Sequence, residues 1–196
     1  KIEEELDEKD QIREVALKSS RAVVRLSGNT MKALHREEEF DEQLEDLKDE
    51  ASRLSSLLAD HPDLASAGYV ESAFQEFSEV GIMLSILERD DVPSPDDLGV
   101  ESVPYLLALG DTVGELRRFS LDELKRGNVM RANYFLDRME DLYTALMRFD
   151  YPDAIVAIRR KQDVARSLLE KTRGEVAVAA SARNLQEKID DLLKKM

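Results

Sequence analysis

The sequence predicts an all-α fold. Three observations carry that reading. Apolar residues recur at three- and four-residue spacing over long stretches, the pattern of helices that bury one face. Alternation with period two, which marks a half-buried strand, is missing. The eight Gly and five Pro do not cluster into frequent breaks. A chain of 196 residues suggests one domain, 1–196, with a sizeable helical core.

Residues 1–10 are mostly acidic and are expected to begin, or fray from, a long first helix running to about Arg36. Lys18, Arg25 and Lys32 are seven apart, as are Arg21, Gly28 and His35, and the two series interleave as one basic stripe ending at Arg36. Ile12, Val15, Val23, Leu26 and Leu34 read as an apolar stripe beside it. A second helix, Phe40–Ala59, is acidic outside with Leu44, Leu47, Leu54 and Leu58 inside, and Asp60-His61-Pro62-Asp63 breaks it. The third helix, Ala67–Arg89, is followed by a loop, Asp90–Ser102, containing Pro93, Pro95 and Gly99. The fourth helix opens with Pro104 in its first turn, where a missing N–H is tolerated, and reaches about Arg126. Leu106, Leu109, Val113 and Leu116 give it a buried face. Gly127-Asn128 fits a helix C-cap followed by a turn, and a fifth helix runs Val129–Phe149. Pro152 restarts the chain, which is helical to about Lys195 with a break expected near Gly174.

Two of these helices carry acids on apolar ground. Glu76 and Glu79 are three apart on the third helix; Asp111 and Glu115 are four apart on the fourth, so each pair shares a face. A carboxylate facing an apolar interior is costly unless it is paired, protonated or metal-bound. Gly110 and Gly114, also four apart, weaken the fourth helix but let another backbone come close. Oxygen ligands without His or Cys suit a hard cation, Mg²⁺ or Mn²⁺, and carboxylate-held metals beside a basic surface suit phosphodiester hydrolysis. The bland reading stands beside this one: with 42 acids in the chain such pairs arise by chance, and Glu115 can pair with Arg118 or Arg36.

The net charge of −14 taken alone argues against nucleic acid, but it is unevenly spread. Gln11–Arg36 holds six Lys or Arg against Glu14, a net of +5, whereas Glu37–Glu50 holds nine acids against Lys48. The basic stripe is either a solvated face or a phosphate-contacting one. With little aromatic interleaving, base stacking would not dominate. No apolar run approaches the roughly 18 residues of a membrane span, no signal-peptide pattern is visible, and the absence of Cys fits a reducing compartment, so a cytoplasmic protein is expected. Phosphate-binding glycine loops are absent, and neither His35 nor His61 completes the Glu-x-x-His pattern of di-iron bundles.

The stretches VVRLSGNTMKALHRE, FQEFSEVG, VPYLLALGDTVGELRRFS followed by RGN, and IRRKQDVARSLLEKTRGE together resemble the translin family, in particular its translin-associated factor X branch. YLL…GD…GELRR is the most specific of them. The resemblance implies about seven helices in an antiparallel bundle and a hollow, roughly octameric shell of subunits enclosing RNA or single-stranded DNA. It further implies Mg²⁺-dependent endoribonuclease activity, with Glu76, Glu79 and Asp111 matching the acidic set of the catalytic branch. Glu115 occurs in both branches and is either a ligand or a structural residue. Lys18, Arg21, Arg25, Lys32, His35 and Arg36 would face the RNA. Hydrolysis by a metal-bound water would leave a 5′-phosphate and a 3′-hydroxyl. The alternative is a non-catalytic RNA-binding or scaffold subunit whose carboxylates are salt-bridged. Two departures stand out: the loop 90–102 is shorter than in eukaryotic members, and the chain is more acidic than an RNA container is expected to be.

Overall fold

The structure, a computed structural model, describes residues 1–88 and 91–195. Arg89 and Asp90, where the sequence places a helix end and a loop start, lie outside the described residues. Among the described residues there are eight helices and no strand. They are α1 (Ile2–Arg36), α2 (Asp41–Leu58), α3 (Pro62–Ala65), α4 (Gly68–Glu88), α5 (Pro95–Leu98), α6 (Ser102–Lys125), α7 (Val129–Leu146) and α8 (Ile158–Lys195). Six are long; α3 and α5 are single turns at the two places where the sequence reads as break and loop. Among the described residues no helix is long and apolar enough to cross a membrane. The chain divides into two compact units, residues 1–108 and 109–196.

In the first unit α1 packs against α2 and α4. The α1 helix ends at Glu37, whose left-handed φ of 56° lets its N–H and that of Glu38 return to Leu34 and Ala33. The short link to α2 makes the two helices an antiparallel hairpin. Val23, Leu47, Leu54, Leu58, Val70 and Val80 are central to the core. The buried face of α1 differs from expectation: Ser19, Ser20, Ser27 and Thr30 line it with Ala16 and Val23, while Val15 is exposed. Small side chains let the neighbouring helices approach, and two of the hydroxyls find partners. Ser19 donates to Glu50 Oε1 at 2.6 Å and Thr30 to the Leu26 carbonyl at 3.0 Å. The one-turn α5 carries a capping box between Ser94 and Asp97, and Gly99 closes it at φ 65°. Burial pushes the Tyr105 phenol up, and its hydroxyl donates to the Pro93 carbonyl at 2.6 Å.

In the second unit α7 packs on α8. Val113, Leu116, Phe135, Met139, Leu146 and Ile158 are buried there. Gly127, at φ 77°, ends the preceding helix, and the Asn128 side chain caps α7 by accepting from Arg131 N. The buried Gln162 amide donates to the carbonyls of Leu146 and Phe149, both at 2.8 Å, tying α8 to the C-terminal end of α7. The expected break near Gly174 is absent: α8 runs through it, because this glycine is exposed and one Gly costs a long helix only about 1 kcal/mol relative to Ala. The last buried residue of α8 is Val176.

Candidate functional site

The basic stripe is one exposed line on α1. At about 100° per residue, Lys18, Arg21, Arg25, Lys32 and Arg36 fall within roughly 60° of arc. All five are exposed, and the buried Val23, Ser27, Thr30 and Leu34 lie on the opposite side of the helix. Glu14 sits on the same line one turn before Lys18 and ends the stripe there. Arg36 is 3.8 Å from Glu38. Among the described residues no carboxylate forms an ion pair with Lys18, Arg21, Arg25 or Lys32, although acids outnumber bases three to two in the chain. His35 is half-buried at the edge of the stripe and is engaged by other groups.

The acids stand on helices of different character. Within the first unit, α4 is apolar almost all round, burying Val70, Ala73, Val80, Ile82, Met83 and Ile86. Glu76 and Glu79 are half-buried on it, and neither is without a partner. Within the second unit, Asp111 Oδ1 accepts a hydrogen bond from Lys161 Nζ at 2.5 Å, with the two side chains 32% and 28% exposed. Glu115 lies 3.9 Å from Arg118. Gly110, beside Asp111, explains how α8 reaches that carboxylate. A Cβ built on Gly110 would stand 2.7 Å from Lys161 Cβ, whereas one on Gly114 would stand 3.8 Å from Leu168 Cδ1. The lysine stem therefore lies where Gly110 leaves room. Further along, the Arg117 guanidinium forks onto Glu175 at 2.6 and 3.0 Å and donates to Thr172 at 2.7 Å.

Lys161 is the partner of Asp111 that sequence reasoning missed. It lies fifty positions from Asp111, and only the small residue at Gly110 hinted that another helix comes close. Glu76 and Glu79 in the first unit, and Asp111 and Glu115 in the second, each offer only oxygen donors, the ligand type of a hard divalent cation. Among the described residues no three His, Asp or Glu side chains are gathered as metal ligands, and Asp111 is paired with an ammonium.

The Translin family model matches residues 64–176. An uncharacterised protein of Methanocaldococcus jannaschii is 34% identical over 186 residues, covering 93% of this chain and 82% of that protein. The crystal structure of AfC3PO superposes with a TM-score of 0.78 at 29% identity, over 93% of this chain and 96% of the other. AfC3PO in complex with duplex RNA gives 0.74 at 27% identity over the same shares. Apo-NeC3PO gives 0.81 at 24% identity, over 91% of this chain and 95% of the other, which speaks for the fold alone. The expected all-α fold is that of these structures.

Proposed function

The chain belongs to the translin family, and from that premise we propose that it binds RNA through the exposed cationic line of α1, as a subunit of a homo-oligomeric shell. The observation that carries this reading is the row of Lys18, Arg21, Arg25 and Lys32, which forms no ion pair among the described residues of an acidic chain. Unpaired cations in register can replace the counterions of a phosphate backbone, and the release of those ions drives binding. The solved complex of AfC3PO with duplex RNA supports carrying the ligand class over. Recognition then rests on backbone and shape, since the sequence contains no base-reading motif.

The finer reading is a Mg²⁺- or Mn²⁺-dependent endoribonuclease of the catalytic branch. Glu76, Glu79 and Asp111 are the proposed cation ligands, with Glu115 a fourth candidate. A bound cation of this kind supplies an activated water and stabilises charge on the leaving oxygen. The chain's own contribution is an oxygen-only donor set, and a cationic helix that holds the phosphate backbone. One observation favours the second reading, a non-catalytic RNA-binding or scaffold subunit: the Asp111 carboxylate already has a counter-charge in Lys161.

Binding of a labelled short RNA across a salt series tests the primary proposal. Replacing Arg21, Arg25 and Lys32 by Gln is expected to weaken binding and to lower the slope of log K against log salt by about two. Unchanged affinity and slope would place the RNA elsewhere.

A further inference from the structure

We propose that an apolar cleft of the first unit, charged only by two acids, receives the end of α8 from a second copy of the chain. The inference deepens the homo-oligomeric reading and rests on it. The cleft has a volume of about 540 Å³ and opens where the end of α2, α3, the start of α4 and the start of α6 meet. Leu58, Phe74, Val103 and Pro104 line it, and among the described residues its charged lining is Glu71 and Glu101. Glu71 is half-buried and Glu101 exposed, and neither carboxylate forms an ion pair among the described residues. A cleft of this size and apolar lining is built to take up side chains, and its two acids select a cationic partner.

The end of α8 has the complementary character. Its last buried residue is Val176, and from there to Lys195 the helix continues for about 28 Å, at about 1.5 Å per residue. Val178, Leu185 and Leu192 are seven apart, Ile189 joins their side of the helix, and all four are exposed. An apolar stripe of that kind marks an association surface. It ends in the exposed Leu193 and a last turn whose Lys194 and Lys195 form no ion pair among the described residues. Leu192 and Leu193 match the apolar lining of the cleft, and the lysine stems can lie along it and carry their ammonium groups to Glu71 and Glu101. Two α8 ends laid in parallel would instead set lysine against lysine. Because cleft and helix end are unlike patches, the contact passes from copy to copy and closes as a ring where the rotation allows.

The chain has no Cys, so introduced thiols report the contact without background. The test treats the full chain carrying Glu101→Cys and Lys194→Cys, and each single variant, with a flexible bismaleimide, and reads the products on a denaturing gel. Circular dichroism verifies that each variant folds, and light scattering gives the mass of wild type. The expected result is a ladder of species beyond the dimer from the double variant and little linkage from either single one. Adding Glu71→Lys should lower the yield of that ladder about fivefold, and adding Lys195→Glu as well should restore it. Linkage only within one chain, dimers from Lys194→Cys alone without a ladder, or a yield that the charge reversals leave unchanged would each overturn the docking. If wild type is oligomeric but the double variant does not link, the docking falls while the homo-oligomer stands. If wild type is a monomer, that reading fails and the inference falls with it.

Discussion

Gly110 and Gly114 stand four apart on one helix and should respond to the same substitution with opposite signs. Alanine improves helix propensity by about 1 kcal/mol at either position. At Gly110 the new Cβ would meet Lys161 Cβ at 2.7 Å, close to the backbone of α8, so the helices must shift. Gly110→Ala is expected to destabilise by about 1–3 kcal/mol. At Gly114 the nearest atom is 3.8 Å away, and Gly114→Ala should stabilise by up to about 1 kcal/mol. Denaturant midpoints of the two variants check this, and shifts of the same sign would contradict it. Ser27 makes a second test. Its hydroxyl is buried on α1 and has no hydrogen-bond partner among the described residues. Ser27→Ala should therefore be neutral or stabilising, and a loss above about 1 kcal/mol would mean that the hydroxyl is satisfied. Asp111 was legible in the sequence because an acid on an apolar helix face is costly and calls for a partner. The partner itself was not, because nothing local links residues 111 and 161. Glu115 was read with Arg118 as a candidate partner, and that ion pair is present at 3.9 Å.

Along α1 the charged and buried faces were legible to different degrees. The basic line could be read because register alone fixes it: residues at three, four and seven share a side of any helix. The buried line could not, because Ser19, Ser20, Ser27 and Thr30 are polar by type and Val15 is apolar, yet packing against α2 and α4 buries the former and leaves the latter out. That division yields a prediction for the element. Neutralising Arg21, Arg25 and Lys32 removes exposed charges that form no ion pair among the described residues, so the thermal midpoint should stay within a degree or two while RNA affinity falls. A large drop in stability would mean that the stripe is structural. A smaller element gives a pH test. The Ser94 hydroxyl, then the Ser94 N–H, hold the Asp97 carboxyl below the usual carboxylate range. A lowered folded value means that the cap contributes at neutral pH and weakens as pH falls from the ordinary Asp value through the lowered one. The protection of the Gly99 and Val100 amides, which close α5, measured against their intrinsic exchange rates, should therefore fall below about pH 4.

At the scale of the molecule, a chain of net charge −14 can hold RNA only by segregating its charge, and Gln11–Arg36 does so with a net of +5. The all-α class was legible from apolar period and from the absence of alternation, and the family from motifs spread over much of the chain. We propose that the chain is a single domain, which predicts one unfolding transition; two separated transitions would show that its two compact units melt independently. The finer proposal, beyond RNA binding, is that this translin-family chain is itself a metal-dependent ribonuclease acting through Asp111. The most direct measurement is cleavage of an end-labelled short single-stranded RNA by the purified protein, with Mg²⁺, with EDTA and with Asp111→Asn. The account predicts cleavage with Mg²⁺ that leaves a 5′-phosphate and a 3′-hydroxyl, and that EDTA and the substitution abolish. RNA binding without cleavage under any divalent metal, or equal cleavage by Asp111→Asn, would contradict it.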